Sequence, residues 1–349
     1  MPAGTRRKDL ASPNQIRIVL NRGKPPGLPV FFRYSAAPVL SALYSLSPAE
    51  KVRWDKKGRR RSRQTRQIMS SQSGENRDFH ELAPRDYARL LPVFAGFSHA
   101  LAVRPVVEGS CRGRAFVDDI DEPRAGLVWE GSTFYLAGPL PGALSASLGR
   151  LLETEFLPKL GPWGGRFSYW PEEAWEPALT EALAPFGVKK WIRHFYTLRS
   201  SEYHPRGDWR AVVPGGCVVH RVTPELLADP AIEKSSLQHE LGIMWAALDR
   251  FFDRAFGYCL VGGGKVLSWC LTEYPNGDRR GIGIETAEEH YRNGYGWITA
   301  SACLEQAFSR GMTVHWDSWA NNAASVGLAG KLGFELTREY PVLAFRNVP

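Results

Sequence analysis

Between residues 295 and 309 the apolar positions Ile298, Ala302, Leu304, Ala307 and Phe308 recur at helical spacing, and Gly311 follows as a stop. Beyond this predicted helix, residues 313–319 read as a strand, 323–332 return to helical spacing, and 334–345 read as strand again. Upstream, strands are predicted at 258–261, 266–274 and 281–286. They are joined by Gly262-Gly263-Gly264 and by Pro275-Asn276-Gly277-Asp278, both strong turn sequences. A strand at 218–222 and helices at 224–227 and 236–252 open this block. A meander followed by strand–helix–strand–helix–strand implies an α/β sandwich with a mixed sheet.

An earlier block has its own pattern. Residues 84–97 place Tyr87, Leu90, Leu91 and Phe94 on one helical face. Strands follow at 115–117, 127–129 and 133–137, with an acidic turn between the first two and Glu130-Gly131 as a hairpin turn. Helices at 145–156 and 172–184, the second ended by Pro185 and Gly187, lead to an alternating strand at 191–198. The chain therefore reads as a leader over 1–75, a first globular part over 76–205 and a second over 206–349.

Charge sharpens this division. The net charge of +8 is carried by residues 1–68, which hold 16 Lys and Arg against 3 Asp and Glu; the rest holds 28 against 33. The folded body is mildly acidic and gives no support for a nucleic-acid face. The leader is expected to be disordered, because the run 56–66 repels itself. Met69 is the expected natural start, the alternative being a nucleic-acid or targeting arm. The chain, 44% hydrophobic with 12 Trp, has enough apolar side chains for real cores. None of the five cysteines forms a C-x-x-C pair, so free buried thiols in a reducing cytoplasm are expected, without a zinc site or disulfide framework. No run of 18 apolar residues predicts a membrane span.

The chemistry concentrates in residues 282–334. A strand ending in Ile284-Glu285-Thr286 runs into a loop closing on Arg292-Asn293-Gly294-Tyr295-Gly296, where a helix begins. The unpaired N–H groups and dipole of a helix N-terminus favour an anion such as pyrophosphate. Further on come Trp316-Asp317-Ser318-Trp319 and the run Asn322 to Phe334, spelling N-x-x-S-x-x-L-A-x-K-L-G-F. With the T-x-E-x-x-x-x-x-G-x-G loop from Thr286 to Gly296, this resembles the GNAT superfamily of N-acetyltransferases. The nearest resemblance is to the group that includes the zwittermicin A resistance acetyltransferases. Phe116-Val117-Asp118-Asp119 and Phe134 to Gly138 resemble that group's N-terminal half.

The resemblance implies a GNAT fold, α/β with a mixed, mostly antiparallel central sheet, preceded by a degenerate GNAT-like half without a phosphate loop. It implies acetyl-CoA as co-substrate, no metal, and a small-molecule amine as acceptor. Residues 292–296 would hold the pyrophosphate, Ile284 and Thr286 the pantetheine, and Asn322 and Ser325 would lie near its arm. Two positions depart from the family: Tyr291 stands where Arg or Gln is usual, and Ala329 where a Tyr usually protonates the leaving thiolate.

Glu285, at the end of its strand, is the candidate base for an ammonium acceptor. Asp317, a carboxylate in an aromatic strand, needs a partner; a cationic substrate and a structural hydrogen bond are both open. His315 reads as structural, and Asn322 also as a helix cap. Trp245, Phe251, Phe252 and Trp269 fit either core or acceptor pocket. The implied reaction is direct acetyl transfer to a primary amine, with no covalent intermediate. The rivals are acetylation of a protein- or RNA-linked amine, and a non-catalytic acyl-CoA sensor.

Overall fold

In a computed structural model, residues 78–139, 144–161 and 164–346 are described. The chain divides at Ser70, and all of them fall on the Ser71–Pro349 side. The leader's basic run and Met69 lie outside the described residues.

Among the described residues twelve strands form one sheet. They are β1 (His80–Glu81), β2 (Arg114–Val117), β3 (Gly126–Glu130), β4 (Thr133–Ala137), β5 (Gly165–Trp170) and β6 (Lys189–Arg199). The second set is β7 (Cys217–Arg221), β8 (Gly257–Gly262), β9 (Lys265–Asn276), β10 (Arg279–Thr286), β11 (Thr313–Trp319) and β12 (Glu335–Phe345). The α-helices are α1 (Val103–Val107), α2 (Leu144–Leu151), α3 (Glu172–Leu183), α4 (Pro224–Ala228), α5 (Ser235–Met244), α6 (Leu248–Arg254), α7 (Tyr295–Ser309) and α8 (Ala323–Leu332).

The strand order is β1-β2-β3-β4-β5-β12-β6-β11-β10-β9-β8-β7. Every pairing is antiparallel except β4–β5 and β10–β11. Exchanging β1–β6 for β7–β12 reverses this order without otherwise changing it, so the sheet has an internal two-fold relation. Its centre lies between β12 and β6, which pair from Glu335↔Thr197 to Ala344↔Lys189. Each set lends its last strand to the other: β6 pairs with β11, and β12 with β5.

Side chains alternate across the sheet and feed separate cores. Val314, Trp316, Cys270 and the inner side of α7 pack with Leu332 and Phe334 on one face. Trp269, Leu271 and Cys259 pack on the other with Leu237, Leu241 and Phe251 of α5 and α6. Trp245 and Phe251 are therefore core, at 1% and 0% exposed, rather than an acceptor wall.

Three predicted elements change form. The helix expected over 84–97 is a 3-10 segment, Pro84–Leu90, followed by turns. The one expected over 236–252 breaks after Met244, where Trp245 bridges Cys111 as an isolated β-pair. The α-helical part of 145–156 ends at Leu151 and a π turn, Leu152–Phe156, follows. β5 has no counterpart among the predicted strands: it begins at Gly165, the last residue of a glycine-rich run that the sequence pattern reads as a turn. Four cysteines are buried and Cys217 is half-buried, all of them free. Among the described residues no helix is long and apolar enough to cross a membrane.

Candidate functional site

The parallel strands β10 and β11 pair at Arg279↔Thr313, Arg280↔Val314 and Gly281↔His315, and then part. Beyond that point β10 stays bound only to β9, down to Thr286↔Ser268, and β11 only to β6, down to Trp319↔Arg193. The facing edges of 282–286 and 316–319 thus carry backbone N–H and C=O groups with no strand between them. Such groups require a partner, from water or from a ligand inserted as an extra strand. The apex of the wedge is pinned by His315, whose Nε2 accepts from Arg279 Nε at 3.0 Å while Nδ1 lies 3.1 Å from Thr197 Oγ1. Burial lowers this imidazole to about 4, so it is neutral and structural.

Both α7 and α8 start at the C-terminal ends of these parallel strands, so both N-termini lie at the mouth of the wedge. The loop before α7 curls through Arg292 at φ 66° and Gly294 at φ 80°. Residues 291–294 are exposed, and a Cβ on Gly294 would meet nothing within 4 Å. The first in-helix bond runs from Ile298 N–H to the Gly294 carbonyl, which leaves the N–H groups before it to face outward partners. Gly296 lets α7 approach: a Cβ there would lie 3.3 Å from Thr286 Oγ1 and 3.4 Å from Ile284 Cδ1 and Leu328 Cδ2.

The other predicted residues fall around this mouth. The Thr286 hydroxyl lies 2.9 Å from Ser268 Oγ, which also donates to the Glu285 carbonyl at 2.8 Å. It pins the end of β10 and leaves backbone and Ile284 to line the wedge. Asn322 caps α8, its Oδ1 accepting from Ser325 N–H at 3.2 Å. Ser325 Oγ accepts from Trp316 Nε1 at 2.9 Å. Ala329 is fully buried beside Trp316 and Phe334, in a core position.

Glu285 is exposed on the face opposite Ile284, and its carboxylate accepts from Ser236 Oγ at 2.7 Å. Ser236 in turn accepts from Trp269 Nε1 at 2.9 Å. Asp317, across the wedge, is already partnered: Arg193 Nε donates at 2.9 Å and Tyr340 OH at 2.6 Å. Its partner is therefore the protein's own guanidinium, and the β11 bank is charge-neutral at this point. Two carboxylates that sequence reasoning did not single out complete the β9–β10 bank. Glu273 of β9 is 8% exposed, and Glu240 of α5 is half-buried one turn beyond Ser236. Burial and the Glu240 and Glu130 charges hold the Glu273 carboxyl well above the usual range. Burial, then Glu285 and Glu130, pushes Glu240 up to about 7. The sequence signal for Glu273 was Gly283, the glycine in the middle of β10. A Cβ there would fall 1.7 Å from Glu273 Oε1.

Among the described residues, no group of His, Cys, Asp and Glu is arranged to hold a metal ion. Burial pushes the Cys259 thiol up to about 12 and those of Cys111 and Cys270 further, so none of these three is activated.

The family model described as GNAT acetyltransferase matches residues 91–343. The chain is 26% identical over 141 residues to the uncharacterized N-acetyltransferase YdfB of Bacillus subtilis (strain 168), covering 40% of this chain and 53% of that protein. It thus spans about half the length of that curated relative. A GCN5-related N-acetyltransferase-like protein from Streptococcus suis has the same fold, with a TM-score of 0.58 at 21% identity over 75% of this chain and 99% of that one. So does the GCN5-related glucosamine N-acetyltransferase region of a fungal multi-domain β-N-acetylglucosaminidase, with a TM-score of 0.50 at 11% identity over 76% of this chain and 38% of that one.

Proposed function

This chain belongs to the GNAT acetyltransferase family, and from that premise we propose that it moves an acetyl group from acetyl-CoA to a primary amine of a small molecule. The observation that carries the reading is the parting of β10 and β11 after Gly281, with two helix N-termini at its mouth. The pantetheine arm would fill the gap as an added strand, bonded by the backbone of 282–286. The N–H groups around Gly294 and the dipole of α7 would take the pyrophosphate, with Arg292 and Asn293 exposed beside it. A backbone N–H of the open β10 edge would polarise the thioester carbonyl. The amine would come from the face bearing Glu285 and Asp317. It would attack directly, because no side chain in the wedge is a prepared nucleophile.

The resemblance to the group with the zwittermicin A resistance acetyltransferases supports an amino-containing metabolite or antibiotic as acceptor. The free thiols suit a reducing cytoplasm. Release of CoA thiol on adding amines to protein and acetyl-CoA tests the proposal. Acetyl-CoA that raises the melting temperature without thiol release from any amine would instead favour an acyl-CoA sensor.

A further inference from the structure

The two banks of the wedge differ in how their acids are balanced. Asp317 is neutralised by Arg193. On the opposite bank, among the described residues, neither Glu273 nor Glu240 has a basic partner; the Glu240 charge lifts the proton affinity of Glu273, and Glu285 and Glu130 lift that of Glu240. Glu285 accepts from the neutral hydroxyl of Ser236, and Glu130 is met by Tyr274 OH at 3.2 Å and by the Thr133 hydroxyl, with the Arg166 charge acting on it. Glu273 is more than nine-tenths buried, and its carboxylate is laid on the bare Cα of Gly283, two residues past the last β10–β11 pair. A carboxylate in that position has no structural duty that a hydrophobic residue would not perform better. A side chain on residue 283 would push it away from the point where the strands part.

We propose that Glu273 removes the proton from the acceptor's ammonium group, and that Glu240 and Glu285 hold a second positive charge of the same molecule, so that the acceptor is a diamine or polyamine. The inference rests on the acetyl-transfer reading above and names its substrate class. The protons and electrons balance as follows. One N–H proton passes from the ammonium to Glu273, and the freed lone pair forms the C–N bond to the thioester carbon. The C–S bond breaks with its electron pair on sulfur. The second N–H proton ends on that sulfur as CoA thiol, the third stays in the amide, and Glu273 returns its proton to water.

The test uses the full chain, acetyl-CoA, and butylamine, 1,4-diaminobutane and spermidine as acceptors. The dicationic and tricationic amines are expected to exceed butylamine at least tenfold in kcat/KM. Glu273→Gln should lower kcat roughly 10²–10⁴-fold, the range for loss of a general base, while acetyl-CoA still raises its melting temperature as in wild type. Gly283→Ala, which displaces the carboxylate without removing it, should lower kcat in the same sense. Glu240→Gln should raise the KM for 1,4-diaminobutane about tenfold, with a smaller effect on butylamine. Near-normal kcat in Glu273→Gln with a collapse in Glu285→Gln would move the base to β10 and overturn the assignment. Equal use of butylamine and 1,4-diaminobutane would overturn the substrate class. If acetyl-CoA fails to shift even the wild-type melting temperature, the acetyl-transfer reading itself falls, a signature distinct from either.

Discussion

The sheet contains a parallel strand–helix–strand unit twice, and the two copies differ in how far their strands stay paired. β4 and β5, joined through α2, stay paired over five registers from Thr133↔Arg166 to Ala137↔Trp170. β10 and β11, joined through α7, part after three. The closed copy is filled with rings: Phe134 and Phe167 sit opposite one another, stacked at 4.7 Å, and Phe345 and Phe156 pack against Phe134. The open copy has backbone edges in place of those rings, and a row of acids beneath it. Identical connectivity therefore yields a packing device in one place and a ligand slot in the other. What separates them is whether each parallel strand is held by its outer neighbour beyond the last shared pair.

Substitutions at one glycine in each unit, Gly138 after β4 and Gly294 before α7, probe this contrast most strongly. Gly294→Glu should abolish the acetyl-CoA melting shift, because the new carboxylate extends into open space where the phosphates would sit. Gly138→Ala should keep the shift but lower stability by about 2–4 kcal/mol, from strain and overpacking. Its φ is +95°, and the added Cβ would lie 2.0 Å from the Arg124 carbonyl oxygen. Melting scans with and without acetyl-CoA separate the two. A lost shift in the Gly138 variant, or a retained one in the Gly294 variant, breaks the comparison.

A smaller effect is expected on the neutral bank. Asp317→Ala leaves Arg193, with its side chain 10% exposed, and the Tyr340 hydroxyl without their acceptor. The cost should be about 1–3 kcal/mol in urea unfolding, reduced from a fully buried pair because Asp317 is itself 35% exposed. If Asp317 instead held the substrate alone, stability would stay and only the acceptor KM would rise.

The smallest effect is a pH dependence on the acidic bank. In the unfolded chain Glu240 should ionise near 4.3; in the folded protein its carboxyl is pushed up to about 7. A raised folded value means that the stabilisation is present below the unfolded value and is lost as pH rises through about 7. Glu240→Gln should therefore gain in melting temperature over wild type at pH 8 and not at pH 4. An equal margin at both values would show that neither burial nor the neighbouring carboxylates raise Glu240 in the folded protein.

Much of the open unit was legible in the chain. The boundaries of α7, β11 and α8 follow from apolar spacing and from Gly294, Asn322 and Gly311, because caps and periodicity are local properties. The exposed loop at 291–294 and the cap at Asn322 follow from the same local signals. The partners of the predicted carboxylates did not. Asp317 meets Arg193, 124 positions away, and Tyr340, and the balance of charge on β11 depends on both.

What the sequence determined by itself was therefore the succession of elements and the helix N-terminus that suits a phosphate, since each depends on residues within a few positions of one another. Only the tertiary structure decided that β6, the strand read at 191–198 in the first block, enters between β11 and β12. There it pairs with β11 down to Trp319↔Arg193, beyond the last β10–β11 pair at Gly281↔His315. The same folding brings Glu273 of β9 onto the bare face of Gly283 and sets Glu240 of α5 near Glu285. Strand order and cross-strand proximity are set by burying faces that lie far apart in the chain, and no local pattern encodes which edge a strand will join.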